Sequence, residues 1–106
     1  MLVVTSASIE GKKIKERLGI ATGNTVRSRN IGKDIMAAFR NIVGGEVTEY
    51  AQLLSSSRSQ AINRMIDHAK NMGGDAIVDV RITTSAVMAG TSEILAYGTA
   101  VILEDE

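Results

Sequence analysis

The side chains best equipped for chemistry in this sequence are arginines and acids. Arg27, Arg29 and Arg81 stand with Glu93 and Tyr97 on segments that alternate like strands, Arg58 interrupts an apolar helical stripe, and His68 is the only histidine. A guanidinium gives a planar, bidentate hold on a carboxylate or phosphate. Arg27, Arg29, Arg81, Glu93 and Tyr97 are therefore candidate contacts for a small anionic ligand. The same residues also suit ion pairs between subunits, because interfaces favour Arg and Tyr.

Other chemistries find less support. His68 has no His or Cys partner at the i+4 or i−4 spacing that zinc sites on helices use, so it reads as a structural histidine and no metal ligand is assigned. Glu46 and Glu49 form no calcium-loop pattern. Gly44-Gly45-Glu46 lacks the lysine and spacing of a Walker loop and completes no dinucleotide fingerprint. Ser28, Ser85 and Tyr97 have no histidine base nearby in sequence. No residue pattern names a cofactor, and the chain reads as a binding or structural protein more readily than as an enzyme.

Arg58 poses a separate question. Leu54, Ala61, Ile62 and Met65 flank it at helical spacing, where an unpaired charge would cost several kcal/mol. The pattern predicts a buried ion pair with an acid from another element: Glu93, Glu46 or Asp34, in that order.

These residues must be positioned by a small set of elements. Met1 to Thr5 reads as a short strand, and Ile9 to Lys13 as a turn. Ile14, Leu18, Ile20 and Val26 fall on even positions of a strand from Ile14 to Arg29, and Thr22-Gly23-Asn24-Thr25 could bend it into a hairpin or host a bulge. Asn30 can cap a short helix over about Gly32 to Val43 that stops at Gly44-Gly45. A long helix is expected from about Thr48, as N-cap, to Met72, with Gly73-Gly74 as its terminator and Tyr50, Leu54, Ala61, Ile62, Met65, Ala69 and Met72 as its apolar stripe. Asp75 to Thr84 is a strand with Val78, Val80 and Ile82 on one face and Asp79 and Arg81 on the other. Ser85 to Ser92 reads as a flexible connection. In the last strand, Glu93 to Leu103, the even positions Ile94, Ala96, Gly98, Ala100 and Ile102 are small enough in the middle to let a helix approach closely.

The totals bound the class. The chain has 106 residues, 44% hydrophobic but only 3% aromatic, so one domain spanning 1–106 must build its core from aliphatic side chains and methionine. Twelve basic and twelve acidic residues cancel, which removes the long-range field on which nucleic-acid binding relies. With no cysteine and no long apolar run, a cytoplasmic protein without nucleic-acid or membrane partners is expected.

Taken in order, Met1-Leu2-Val3-Val4-Thr5, Leu18-Gly19, Gly23, Thr25-Val26-Arg27-Ser28-Arg29-Asn30, Asp34, Arg40, Val43-Gly44-Gly45-Glu46, Tyr50, Arg58, Arg64-Met65, Ala76-Ile77-Val78, Val80-Arg81, Thr84-Ser85 and Glu93 to Val101 resemble the YbjQ-like family. These are small uncharacterised bacterial and archaeal proteins that carry a heavy-metal-binding label. The resemblance implies a two-layer α+β, dodecin-like subunit: an antiparallel sheet packed against one long helix plus a short helix, assembling into a ring, a homo-oligomer of five. The chain departs from the family pattern of Gly-Ala-Asn-Ala before the third strand and a glycine within it. Here stand Gly73-Gly74-Asp75-Ala76 and Asp79.

The expected function is that of a ring-forming binding protein with a small anionic or metal-associated ligand at or near subunit interfaces. An enzyme acting on a small acidic or phosphorylated metabolite, with Tyr97 or Glu93 as acid/base, and a purely structural assembly protein are the alternatives.

Overall fold

A computed structural model describes residues 1–27, 46–88 and 91–106, with the side chains of residues 27, 46–51, 53, 87 and 88 left outside that description. Its elements in chain order are β1 (Leu2–Val3), β2 (Lys12–Arg27), α1 (Glu46–Asn71), β3 (Ala76–Met88) and β4 (Thr91–Asp105). The four strands form one sheet in the order β1-β3-β4-β2. β4 pairs antiparallel with both β2 and β3, whereas β1 lies parallel to β3. The sheet is mixed, not purely antiparallel as expected, because the chain returns to β1's neighbour only after the long helix crosses over.

The long helix begins at Glu46, so Thr48 lies inside its first turn instead of capping it. Its C-terminus follows the expected glycine chemistry. Gly73 has a φ of 90°, the Gly73 amide donates to the Lys70 carbonyl at 3.0 Å, and the Gly74 amide donates to the Ala69 carbonyl at 2.9 Å. These are the two reverse bonds by which a left-handed glycine closes a helix and turns the chain into the next strand. The short helix expected over 32–43 lies outside the described residues.

Of the two alternatives left open at Thr22–Thr25, neither a hairpin nor a bulge is found there: β2 runs from Lys12 to Arg27 and these four residues pair without a break. β2 carries two bulges elsewhere, where Lys15 and Leu18 have no partner on β4. β3 continues to Met88 and β4 starts at Thr91, so the segment read as a flexible connection from Ser85 is mostly strand.

Two apolar layers result. On one face, Ala61, Met65 and Ala69 of α1 pack on Ala21, Ile77, Val80, Ile94, Ala96 and Ala100, with Leu18, Ile62, Ile66 and Met72 at the margin. On the other face, at one end only, Ala76, Val78 and Val101 are covered by Val4, Ile9, Ile14 and Leu103. The N-terminal segment is held over that end by Val4, whose amide donates to the Ile77 carbonyl and whose carbonyl accepts from the Val80 amide.

The bulges rearrange the expected faces. An extra residue in one strand reverses the alternation beyond it. In β2 the extra residues Lys15 and Leu18 cancel: Ile14, Ile20 and Val26 all pair with one face of β4, the face away from α1, where Ile20 and Val26 are 68% and 51% exposed. Leu18 packs on the helix side, with the buried Ala21, Gly23 and Thr25 beyond it. A third irregularity lies in β3, where the pairing skips from Val78 to Arg81. Asp79 sits within it at a φ of 55°, and Val78 and Val80 consequently belong to opposite apolar layers.

Candidate functional site

The sheet face opposite α1 is the surface on which sequence-predicted site residues meet. Arg81 is the direct cross-strand partner of Tyr97, Tyr97 that of Thr22, and Glu93 that of both Ser85 and Val26. Directly paired residues project to the same side of a sheet. Thr22, Asn24, Arg81, Glu93 and Tyr97 therefore share one face with Ile20 and Val26. Tyr97 is 38% exposed and Glu93 is half-buried.

Hydrogen bonds commit two of these charges. The Asn24 side-chain amide donates to Glu93 Oε2 at 3.0 Å. Arg81 Nη1 donates to the carbonyls of Thr5 at 2.9 Å and Val80 at 2.8 Å. The Arg81 guanidinium thus pins the N-terminal segment beside the bulge at Asp79. Arg27 closes β2 opposite Ser92, and its side chain, like Arg29 and Asp34 in full, lies outside the described residues.

The burial expected of Arg58 is not seen. Arg58 is exposed, and the inward position of that turn belongs to Ser57, which is 1% exposed. The buried register is Ser57, Ala61, Met65 and Ala69, a strict four-residue step that leaves Arg58 on the solvent side. Among the described residues no carboxylate pairs with Arg58: Glu93 takes its hydrogen bond from Asn24, and the described ion pairs are Lys12 with Asp105 and Lys13 with Glu104. The Glu46 side chain is outside the described set.

Sequence reasoning missed a second polar constellation, along the outer edge of β2. Helix residues Arg64 and His68, one turn apart, reach over that edge. Arg64 Nη1 donates to the Asn24 carbonyl at 2.6 Å, and the Thr22 amide donates to His68 Nδ1 at 3.0 Å. The i, i+4 spacing of Arg64 and His68 was the available signal, since it places both on one helix face. Which strand edge lay below them was not legible.

That geometry decides how His68 relates to a metal. A backbone amide can only donate, so Nδ1 must be the bare nitrogen and the ring proton sits on Nε2. Metal-ligating histidines show the opposite polarity: the nitrogen away from the metal carries a proton and donates it to an acceptor. Among the described residues no group of three His, Cys, Asp or Glu side chains converges. The described donor set therefore does not fit a resident heavy-metal ion.

Among the described residues, fold and site define a two-layer α+β arrangement with one helix on a four-stranded mixed sheet, whose other face is left largely open. A family model described as "Putative heavy-metal-binding", YbjQ, matches residues 1–104, and the chain belongs to that family. It is 54% identical over 101 residues to a UPF0145 protein of Methanosarcina acetivorans, covering 95% of each chain. To a UPF0145 protein of Photobacterium profundum it is 54% identical, over 97% of this chain and 100% of the relative. A crystal structure of a protein of unknown function from Pediococcus pentosaceus, assigned to the DUF74 family, superposes with a TM-score of 0.63 at 15% identity, covering 98% of both chains, and so shares the fold. No helix among the described residues is long and apolar enough to cross a membrane.

Proposed function

We propose that this protein is the subunit of a cytoplasmic homo-oligomeric ring, of five copies as the family resemblance implies, that holds a small anionic ligand at or near subunit contacts. The observation that carries this reading is the open sheet face, where Ile20 and Val26 are 68% and 51% exposed beside Tyr97, Asn24 and Glu93. Apolar side chains grouped on an uncovered sheet mark a surface that another protein surface covers. The shape agrees: the radius of gyration is 17.2 Å, against about 13 Å for a compact chain of this length. A subunit this extended gains its missing burial from neighbours. Glu93 and Tyr97 on that face, with Arg27, Arg29 and Arg81, are the proposed ligand contacts. A metal-associated ligand would bring its metal with it, because the described side chains do not supply a soft donor set.

Native mass spectrometry of the protein purified from its own cytoplasm tests both halves of the proposal. The expected result is a species at a fivefold multiple of 11.3 kDa carrying additional small-molecule mass. A lone 11.3 kDa species at micromolar concentration would remove the ring and its interface site together.

A further inference from the structure

Among the described residues β2 is the last strand of the sheet, and its outer edge presents backbone groups that no described strand satisfies. Such an edge is a template for unwanted pairing unless something covers it. Here the cover is two helix side chains, and they differ in kind. Arg64 holds the Asn24 carbonyl with a permanent charge. His68 holds the Thr22 amide with a nitrogen that can be protonated.

We propose that His68 is a proton-operated latch on the β2 edge, closed when neutral and opened by protonation. The bond at 3.0 Å requires a lone pair on Nδ1. A proton placed there leaves two N–H groups facing each other, and the imidazolium must swing off the strand. The cationic neighbours on α1 act in the same direction, and the one adjacent acid acts against it. Arg64 lies four residues earlier on the same helix face and Lys70 two residues later, with Asp67 the adjacent acid. The facing strand has no titratable residue between Arg17 and Arg27, so β2 offers the closed imidazolium no counter-charge. The last turn of α1 contains His68 and Lys70, and a released imidazolium there is stabilised by the helix C-terminal carbonyls.

The sign follows from proton counting. The closed latch binds one proton fewer than the open latch, so it is favoured as pH rises and lost as pH falls. The open state exposes the Thr22 amide on the sheet's edge while the Asn24 carbonyl stays covered. This inference does not depend on the proposed ring or its ligand.

Amide hydrogen exchange by NMR tests it, read as protection factors from about pH 8 to about pH 5. Ala21 and Gly23 serve as internal references, because their amides point into the β2–β4 ladder on either side of Thr22. In the native protein, Thr22 protection should fall several-fold toward about tenfold, the worth of one hydrogen bond, while Ala21 and Gly23 hold. In His68→Gln, which cannot titrate, Thr22 protection should not change with pH. Ring nitrogen shifts of the single histidine should show the Nε2–H tautomer at high pH. Thr22 protection that is flat with pH in the native protein, that falls equally in His68→Gln, or that falls together with Ala21 and Gly23 would overturn the latch, as would an Nδ1–H tautomer.

Discussion

Gly23 of β2 lies directly beneath the backbone of Ala61 in α1. A methyl group placed on Gly23 would overlap the Ala61 carbonyl oxygen and the Met65 amide nitrogen. The small residues Ala21, Gly23, Ala61 and Ala69 let helix and strand approach to backbone contact there. Gly23→Ala is therefore expected to cost at least the ~1–3 kcal/mol of ordinary overpacking, since the obstructing atoms are backbone and cannot rotate away. Gly98→Ala should cost less. Its methyl would meet Ile77 Cγ2 at 2.7 Å, and Val80 Cγ2 and the Val78 carbonyl at 3.0 Å, contacts less severe than the backbone overlaps at Gly23. Urea midpoints of the two variants would check the order, and Gly98→Ala proving the more damaging would refute it.

Asp79 is the one described non-glycine residue with a positive φ, at 55°. The family resemblance leads one to expect a glycine within this strand, and the left-handed bulge supplies the physical reason. Asp79→Gly should be neutral or stabilising by up to about 1 kcal/mol, because relief of left-handed strain is partly offset by the entropy of the unfolded glycine chain. Asp79→Val should lose more than about 1 kcal/mol, since a β-branched residue is least able to occupy that region. Thermal midpoints of both variants would measure the contrast.

Arg58 and Met65 invert the expectation that a charged intruder governs the helix. Arg58→Ala removes an exposed side chain and should change stability by no more than about 0.5 kcal/mol. Met65→Ala empties a fully buried position against Ala21, Ile94 and Ala96 and should cost about 2–5 kcal/mol. Denaturant titration of the two variants side by side gives the answer.

At the other end of the sheet, Lys12 on β2 pairs with Asp105 on β4, its direct cross-strand partner. The hydrogen bond and charge of the ammonium hold the Asp105 carboxyl below its ordinary value of 3.8. The folded carboxylate binds fewer protons than the unfolded one, so whatever the pair contributes is present above the ordinary carboxylate range and is lost as pH falls. Both partners are well exposed, which keeps that contribution small and sensitive to salt. NMR titration of Asp105 should show its midpoint rising toward 3.8 in Lys12→Gln. An unmoved midpoint would assign the depression to another group.

The elements themselves were legible in the sequence because each rests on local chemistry. Periodicity marked α1, Gly73-Gly74 stopped it through bonds that only a left-handed glycine permits, and the small even positions of β4 correctly announced the face that meets the helix. The faces of β2 and β3 were not legible. Alternation is a parity argument, and a single unpaired residue at Lys15, Leu18 or Asp79 reverses it. In β2 the two reversals cancel, which put Leu18 alone on the helix side and left Ile20 and Val26 with Ile14 on the face away from it, while the irregularity at Asp79 divided Val78 from Val80. The candidate site divides the same way. Glu93, Tyr97 and Arg81 could be named from type and spacing, but their commitments to Asn24, Thr5 and Val80 come from strand pairing between distant segments. His68 shows the limit most plainly. Sequence spacing left it a lone imidazole without metal partners, and only the packing of α1 over an edge strand presented it with a backbone amide, a group every residue but proline carries and no sequence pattern marks.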